Sequence, residues 1–183
     1  LHKAEAMMNI AFFGAVGLGL MVMQTIVLPA FAWFPYCFDL PIILVLYLSM
    51  VFPSTGTIAA ISFIGMVMDS LSGVPFFFHV FSYCWVYILV QLFKQVIFQR
   101  SILFIVFVSL LAVAVQQGLM LFIVFLSHGH QGLMALDYTR LVWQLALGGL
   151  LIAPGVWWLG LVRQNTMVMA RQLGREFIKR YRD

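Results

Sequence analysis

The sequence predicts an all-α, polytopic integral membrane protein with six transmembrane helices in one compact bundle. Three observations predict it. Of 183 residues, 64% are hydrophobic and only 9% charged, against roughly 45–50% apolar and about 25% charged in an ordinary soluble domain. Six apolar segments recur between breaks at Gly, Pro and charge clusters. The basic residues, finally, gather on one side of the alternating topology that those segments define.

The segments are Met7–Leu28, Leu40–Phe52, Thr57–Met68, Phe76–Phe93, Ile102–Leu126 and Leu141–Val162. The second and third reach only about 20 Å at 1.5 Å per residue, against a hydrocarbon core of about 30 Å. Pro53-Ser54-Thr55-Gly56 between them reads as a tight hairpin, because Pro and Gly bracket a turn-rich tetrapeptide. The first apolar run, Ala6 to Ala30, exceeds a signal-peptide core of roughly 7–15 residues and is expected to stay as a span. With the N-terminus in the cytoplasm, nine of ten basic residues lie inside (Lys3, Lys94, Arg100, Arg163, Arg171, Arg175, Lys179, Arg180 and Arg182) and only Arg140 outside. Fusing the second and third segments into one helix would break that asymmetry, so six spans with both termini inside are expected. Residues 1–162 then form the transmembrane domain and 163–183 a cytoplasmic tail. Asp39, Asp69 and Asp137 fall toward the outer side.

Asp69 is the most informative residue. A carboxylate at the centre of a spanning helix costs about 2.5–3.5 kcal/mol on insertion scales, so it must face protein or water, or sit near a helix end. Ser62, Gly65 and Asp69 share one helical face. The next segment offers His79, Tyr83, Tyr87 and Gln91 at intervals of four, with Ser82 beside them. Joined by the short turn through Ser72, Gly73 and Pro75, the two polar faces can meet, His79 or a tyrosine hydroxyl donating to Asp69. Three roles follow: a proton or ion relay, a hydrogen bond that locks the hairpin, or contact with a partner protein. With no second acid and no basic residue nearby in sequence, the hairpin lock is the expectation.

Other polar positions carry less. His128 and His130 are two apart without a Cys or acid cluster, whereas zinc sites usually take three or four protein ligands; a solvated outer loop is expected, with no metal and no cofactor. Gln116 and Gln117 are expected to bond across helices at about 1 kcal/mol each, and a substrate cavity would need several such groups to converge. Cys37 and Cys84 read as buried apolar thiols. "FAWFPYCF", residues 31–38, is either an aromatic belt at the outer interface or interhelical packing. Ala11, Ala15 and Gly19 form a small-xxx-small stripe suited to close helix packing, which Gly149 and Ala153 repeat in the last span. Pro154 is expected to kink that span. In the tail, Ala170, Leu173, Phe177 and Tyr181 fall on one helical face and Arg171, Arg175 and Lys179 on another, a basic amphipathic helix for an anionic inner leaflet.

From about Phe34 to Leu126 the chain resembles the MreD family, the membrane subunit of the bacterial rod-shape machinery. The likeness lies in an Asp-Leu start to a short apolar helix, a break, then Gly-x-x-x-Asp-x-x-Ser-Gly, represented by Asp39-Leu40, Gly65, Asp69, Ser72 and Gly73. The chain departs from the pattern at Phe76-Phe77-Phe78, where members often carry Gly, and at the PSTG break, which lacks basic residues. The resemblance implies a non-enzymatic scaffold in the bacterial inner membrane, taking part in peptidoglycan synthesis and cell shape. Its partners would be MreC, a RodA-type glycosyltransferase, a class B penicillin-binding transpeptidase and, indirectly, MreB filaments, with membrane lipids around it and no nucleic acid. MreD-like chains also look like the solute-binding S components of vitamin transporters. A solute-binding subunit using Asp69, His79, Tyr83 or Gln116 is therefore the alternative. An enzyme would need two cooperating titratable groups at one depth, and the sequence nominates only Asp69 with His79.

Overall fold

The computed structural model describes residues 2–31, 37–52, 55–73, 77–96, 102–134 and 137–180. They form six α-helices: α1 His2–Val22, α2 Pro41–Val51, α3 Thr55–Ser72, α4 Phe78–Val96, α5 Ile102–Met134 and α6 Tyr138–Arg180. A π turn, Met23–Val27, and a 3-10 turn, Leu28–Ala30, prolong α1. Helical segments Met8–Ala30, Thr55–Ser72, Leu103–Gly129 and Tyr138–Thr166 are long and apolar enough to cross a membrane, which marks a multi-pass membrane protein.

The smallest helix is the centre. All of α2 from Pro41 to Ser49 is buried, and a helix that is apolar all round belongs in a core. Around it stand α1, α3, α4 and α6, while α3 packs on α4 and α5 on α6. Ile61, Met68, Tyr83, Val90, Val113 and Ile152 close over it. Successive helices alternate in direction: Asn9 of α1 meets Arg163 of α6 at one end, and Gln24 meets Leu40 at the other.

At 11 residues α2 spans only about 17 Å, so its ends lie inside the bundle. An α-helix leaves its first N–H groups and last carbonyls without partners in the helix, and each needs one from elsewhere. At the start, Pro41 has no N–H to satisfy, Ile42 and Ile43 donate to the carbonyls of Asp39 and Leu40, and Leu40 donates to Gln24 Oε1 at 3.2 Å. At the end, Lys94 Nζ donates to the carbonyls of Ser49 and Met50 at 2.7 and 2.6 Å, and Gln91 adds a bond to Ser49 at 2.9 Å. A cation there also opposes the negative end of the helix dipole.

The helices differ from the sequence expectations in extent. α3 runs to Ser72, longer than the segment ending at Met68. α5 continues through His128 to Met134 across a break at Gly129 (φ 60°, ψ −152°), where an outer loop was expected. α6 contains Pro154 and passes the expected tail boundary at 162/163 as one helix. Pro53, Ser54 and Pro75, residues 32–36, and the side chains of His130, Arg171, Arg175 and Lys179 lie outside the described residues.

α3 and α4 touch backbone to backbone at Gly65. A Cβ built there would stand 2.7 Å from both Val80 Cα and Val80 N. No side-chain adjustment relieves that approach. Gly65→Ala is therefore expected to destabilise the protein by about 1–3 kcal/mol, read as a lower midpoint in denaturant titration of the detergent-solubilised chain.

Candidate functional site

α3 ends at Ser72, and Gly73 follows with φ +66°, the left-handed residue that commonly closes a helix. The chain re-enters helix just after Phe77, whose φ of 72° is rare for a bulky side chain. This turn brings Asp69 against the first turn of α4. Asp69 Oδ1 accepts from the backbone N–H of His79 at 2.8 Å and lies 2.9 Å from His79 Nδ1, while Oδ2 lies 3.5 Å from the N–H of Val80. A carboxylate accepts only, so Nδ1 is the protonated ring nitrogen. Asp69 thus satisfies the orphan donors of α4 from the preceding helix, as an N-cap residue does from within its own. Ser72 does not join it: its hydroxyl bonds back to the Met68 carbonyl at 2.6 Å.

Beyond His79 the polar stripe of α4 turns away from α3. Tyr83, fully buried, donates its hydroxyl to Asp39 Oδ2, and Gln91 serves the end of α2. Ser62, on the α3 face, meets Cys84 at 3.7 Å. Asp39 also accepts from Gln116 Nε2 of α5 at 2.9 Å. His79 Nε2 lies 3.9 Å from the same Asp39 Oδ2. A second acid, distant in sequence, therefore shares the site: Asp69, His79 and Asp39 form a row, with Tyr83 and Gln116 closing it from α4 and α5. Asp39 is only 9% exposed, and its Oδ1 oxygen, like Ser82 Oγ, meets no partner among the described residues.

The row borders a cavity of about 750 Å³. Asp39, His79, Gln116, Gln117 and Gln144 line it, with Ser72 and the exposed pair Asp137–Arg140 (3.2 Å) at its edge. Gln117 and Gln144 bond each other across α5 and α6. Among the described residues no group of three His, Cys, Asp or Glu side chains is placed to hold a metal ion. His128 is exposed and takes no part.

The small-residue stripe behaves differently from its glycine neighbour Gly17. Ala11, Ala15 and Gly19 are all exposed, and a Cβ at Gly19 would meet nothing within 4 Å. Gly17 is the position that packs: a Cβ built there would stand 3.2 Å from Leu44 Cδ2. In α6, Ala153 is buried and Gly149 admits Leu110 of α5.

The described residues thus form an all-α protein of six helices with a buried acidic cluster at one end. Compared with known protein families, with curated proteins and with solved structures, it matches none.

The buried donors predict opposite responses to two adjacent substitutions. Tyr83→Phe leaves Asp39 one donor short and is expected to cost about 1–3 kcal/mol. Ser82→Ala removes a hydroxyl that bonds nothing described, and is expected to shift stability by less than about 0.5 kcal/mol. Denaturant titration of both variants in the same detergent checks the pair.

Proposed function

We propose that this chain is a non-enzymatic membrane scaffold of the MreD kind, which holds the single-span protein MreC. Through it the scaffold belongs with a RodA-type glycosyltransferase, a class B transpeptidase and the MreB filaments of the bacterial inner membrane. The observation that carries this reading is the engagement of Asp69. Both its oxygens face donors of α4, so the acid of the Gly-x-x-x-Asp-x-x-Ser-Gly stretch is engaged in fixing the outer hairpin. Gly65 and Gly73 of the same motif serve that hairpin too, one by close approach and one by its φ. The exposed stripe Ala11, Ala15 and Gly19 offers a partner helix a surface of small residues. Six helices of alternating direction with both termini in the cytoplasm agree with Lys94 and Arg163 at one end of the bundle and Arg140 at the other.

Co-purification in mild detergent tests the scaffold. The tagged wild-type chain is expected to capture the MreC-type protein of its own organism, and Asp69→Ala to lose most of that capture while remaining in the membrane. No capture by the wild-type chain overturns the reading.

A second reading has its own observation. The cavity beside Asp39, with one carboxylate oxygen lacking a donor, favours a solute-binding component. Two of the residues expected to serve it are placed otherwise: Tyr83 is fully buried and Asp69 is engaged by α4. Under this reading, mass spectrometry of the solvent-extracted wild-type protein recovers a stoichiometric small molecule that Asp39→Asn loses. An empty extract removes it.

A further inference from the structure

α1 and α3 both pack on α2 and not extensively on each other. A groove of about 680 Å³ runs between them, lined by Asn9, Phe13, Gly14 and Met21 of α1 and by Ala60 and Phe63 of α3. From Asn9 to Met21 the groove follows α1 for about 18 Å at 1.5 Å per residue. Apart from Asn9 and Thr57 its lining is apolar, which suits hydrocarbon.

Its mouth is charged. Arg163 of α6 stands over the Phe52 ring at 4.7 Å and the Phe13 ring at 5.9 Å, and both rings line the groove. Asn9 lies 3.4 Å from its Nε. These contacts hold the guanidinium in place, and it takes part in none of the ion pairs between the described side chains. A fixed, partly buried guanidinium is a receptor for phosphate oxygens, which it can grip with two parallel bonds.

We infer that the α1–α3 groove binds one anionic phospholipid, an acyl chain lying along Gly14 and Ala60 and the phosphate group at Arg163. The inference goes beyond the scaffold reading and does not depend on it. One cation near the membrane surface contributes about 1 kcal/mol toward anionic lipid, so a preference of about five-fold is expected over a zwitterionic lipid of the same chains.

Native mass spectrometry of the delipidated full chain in mild detergent, titrated with palmitoyl-oleoyl phosphatidylglycerol or phosphatidylcholine, reads both parts. Wild type is expected to retain one lipid and to favour phosphatidylglycerol. Arg163→Gln is expected to bring the preference close to one. Gly14→Leu puts a side chain into the groove where a Cβ meets nothing within 4 Å, so folding is spared. It is expected to weaken retention of both lipids several-fold at an unchanged melting temperature. Equal retention by Gly14→Leu overturns the groove, and an unchanged preference in Arg163→Gln overturns the headgroup site. A dimer mass that Gly14→Leu abolishes would put a second copy in the groove and also overturn the inference.

Discussion

A helix too short to cross the bilayer sets the terms for the rest of this protein. α2 ends inside the bundle at both termini, and a peptide group without a partner in hydrocarbon costs several kcal/mol. The chain meets this demand chiefly through α4, which runs parallel to α2 and carries polar side chains where α2 begins and ends. Tyr83 serves the Asp39 end, and Gln91 and Lys94 serve the Ser49 end. The polar residues of α4 are explained by the length of its neighbour. An apolar α4 of the same shape would pack as well, leave the Ser49 end of α2 bare and take the Tyr83 donor from Asp39.

The same constraint creates the acidic cluster. Asp39 stands immediately before α2, so seating α2 at the core carries its carboxylate inside, where an isolated charge is prohibitively costly. Donors from α4 and α5 converge on it, and His79 links it to Asp69. Asp69 in turn caps α4, the helix that supports α2. The two acids thus serve consecutive steps of one assembly: Asp69 fixes the start of α4, and α4 then supplies the groups that receive Asp39 and the end of α2.

This order explains what could be read in advance. The Asp69–His79 meeting was legible because the partners are ten residues apart across a recognisable turn, with polar positions spaced by four on each side. The shortness of the second segment was legible from its length alone. Asp39 as a site residue was not. Its partners Tyr83 and Gln116 are 44 and 77 residues away, and no periodicity within a segment records which helices become neighbours. The spacing of Tyr83 and Gln91 correctly marks a polar face on α4 and leaves open that the face turns toward α2. In α1, composition alone cannot separate Ala11, Ala15 and Gly19, which remain exposed, from Gly17, which packs on Leu44. Both sets are small residues at helical spacing, and only the position of α2 distinguishes them.

Donor arithmetic at the cluster leads one step further. Asp69 takes two backbone donors and the Nδ1 proton of His79, and Asp39 Oδ2 takes Tyr83 and Gln116. The supply is then exhausted on one side, because Asp39 Oδ1 meets no donor among the described residues. A fully satisfied polar network fixes a single arrangement, whereas a network one donor short has somewhere to change. That shortage sits beside the cavity and not in the sealed core around α2. The polar groups of the cluster are therefore committed to neighbouring helices, and the one carboxylate oxygen without a described donor belongs to a residue that lines the cavity.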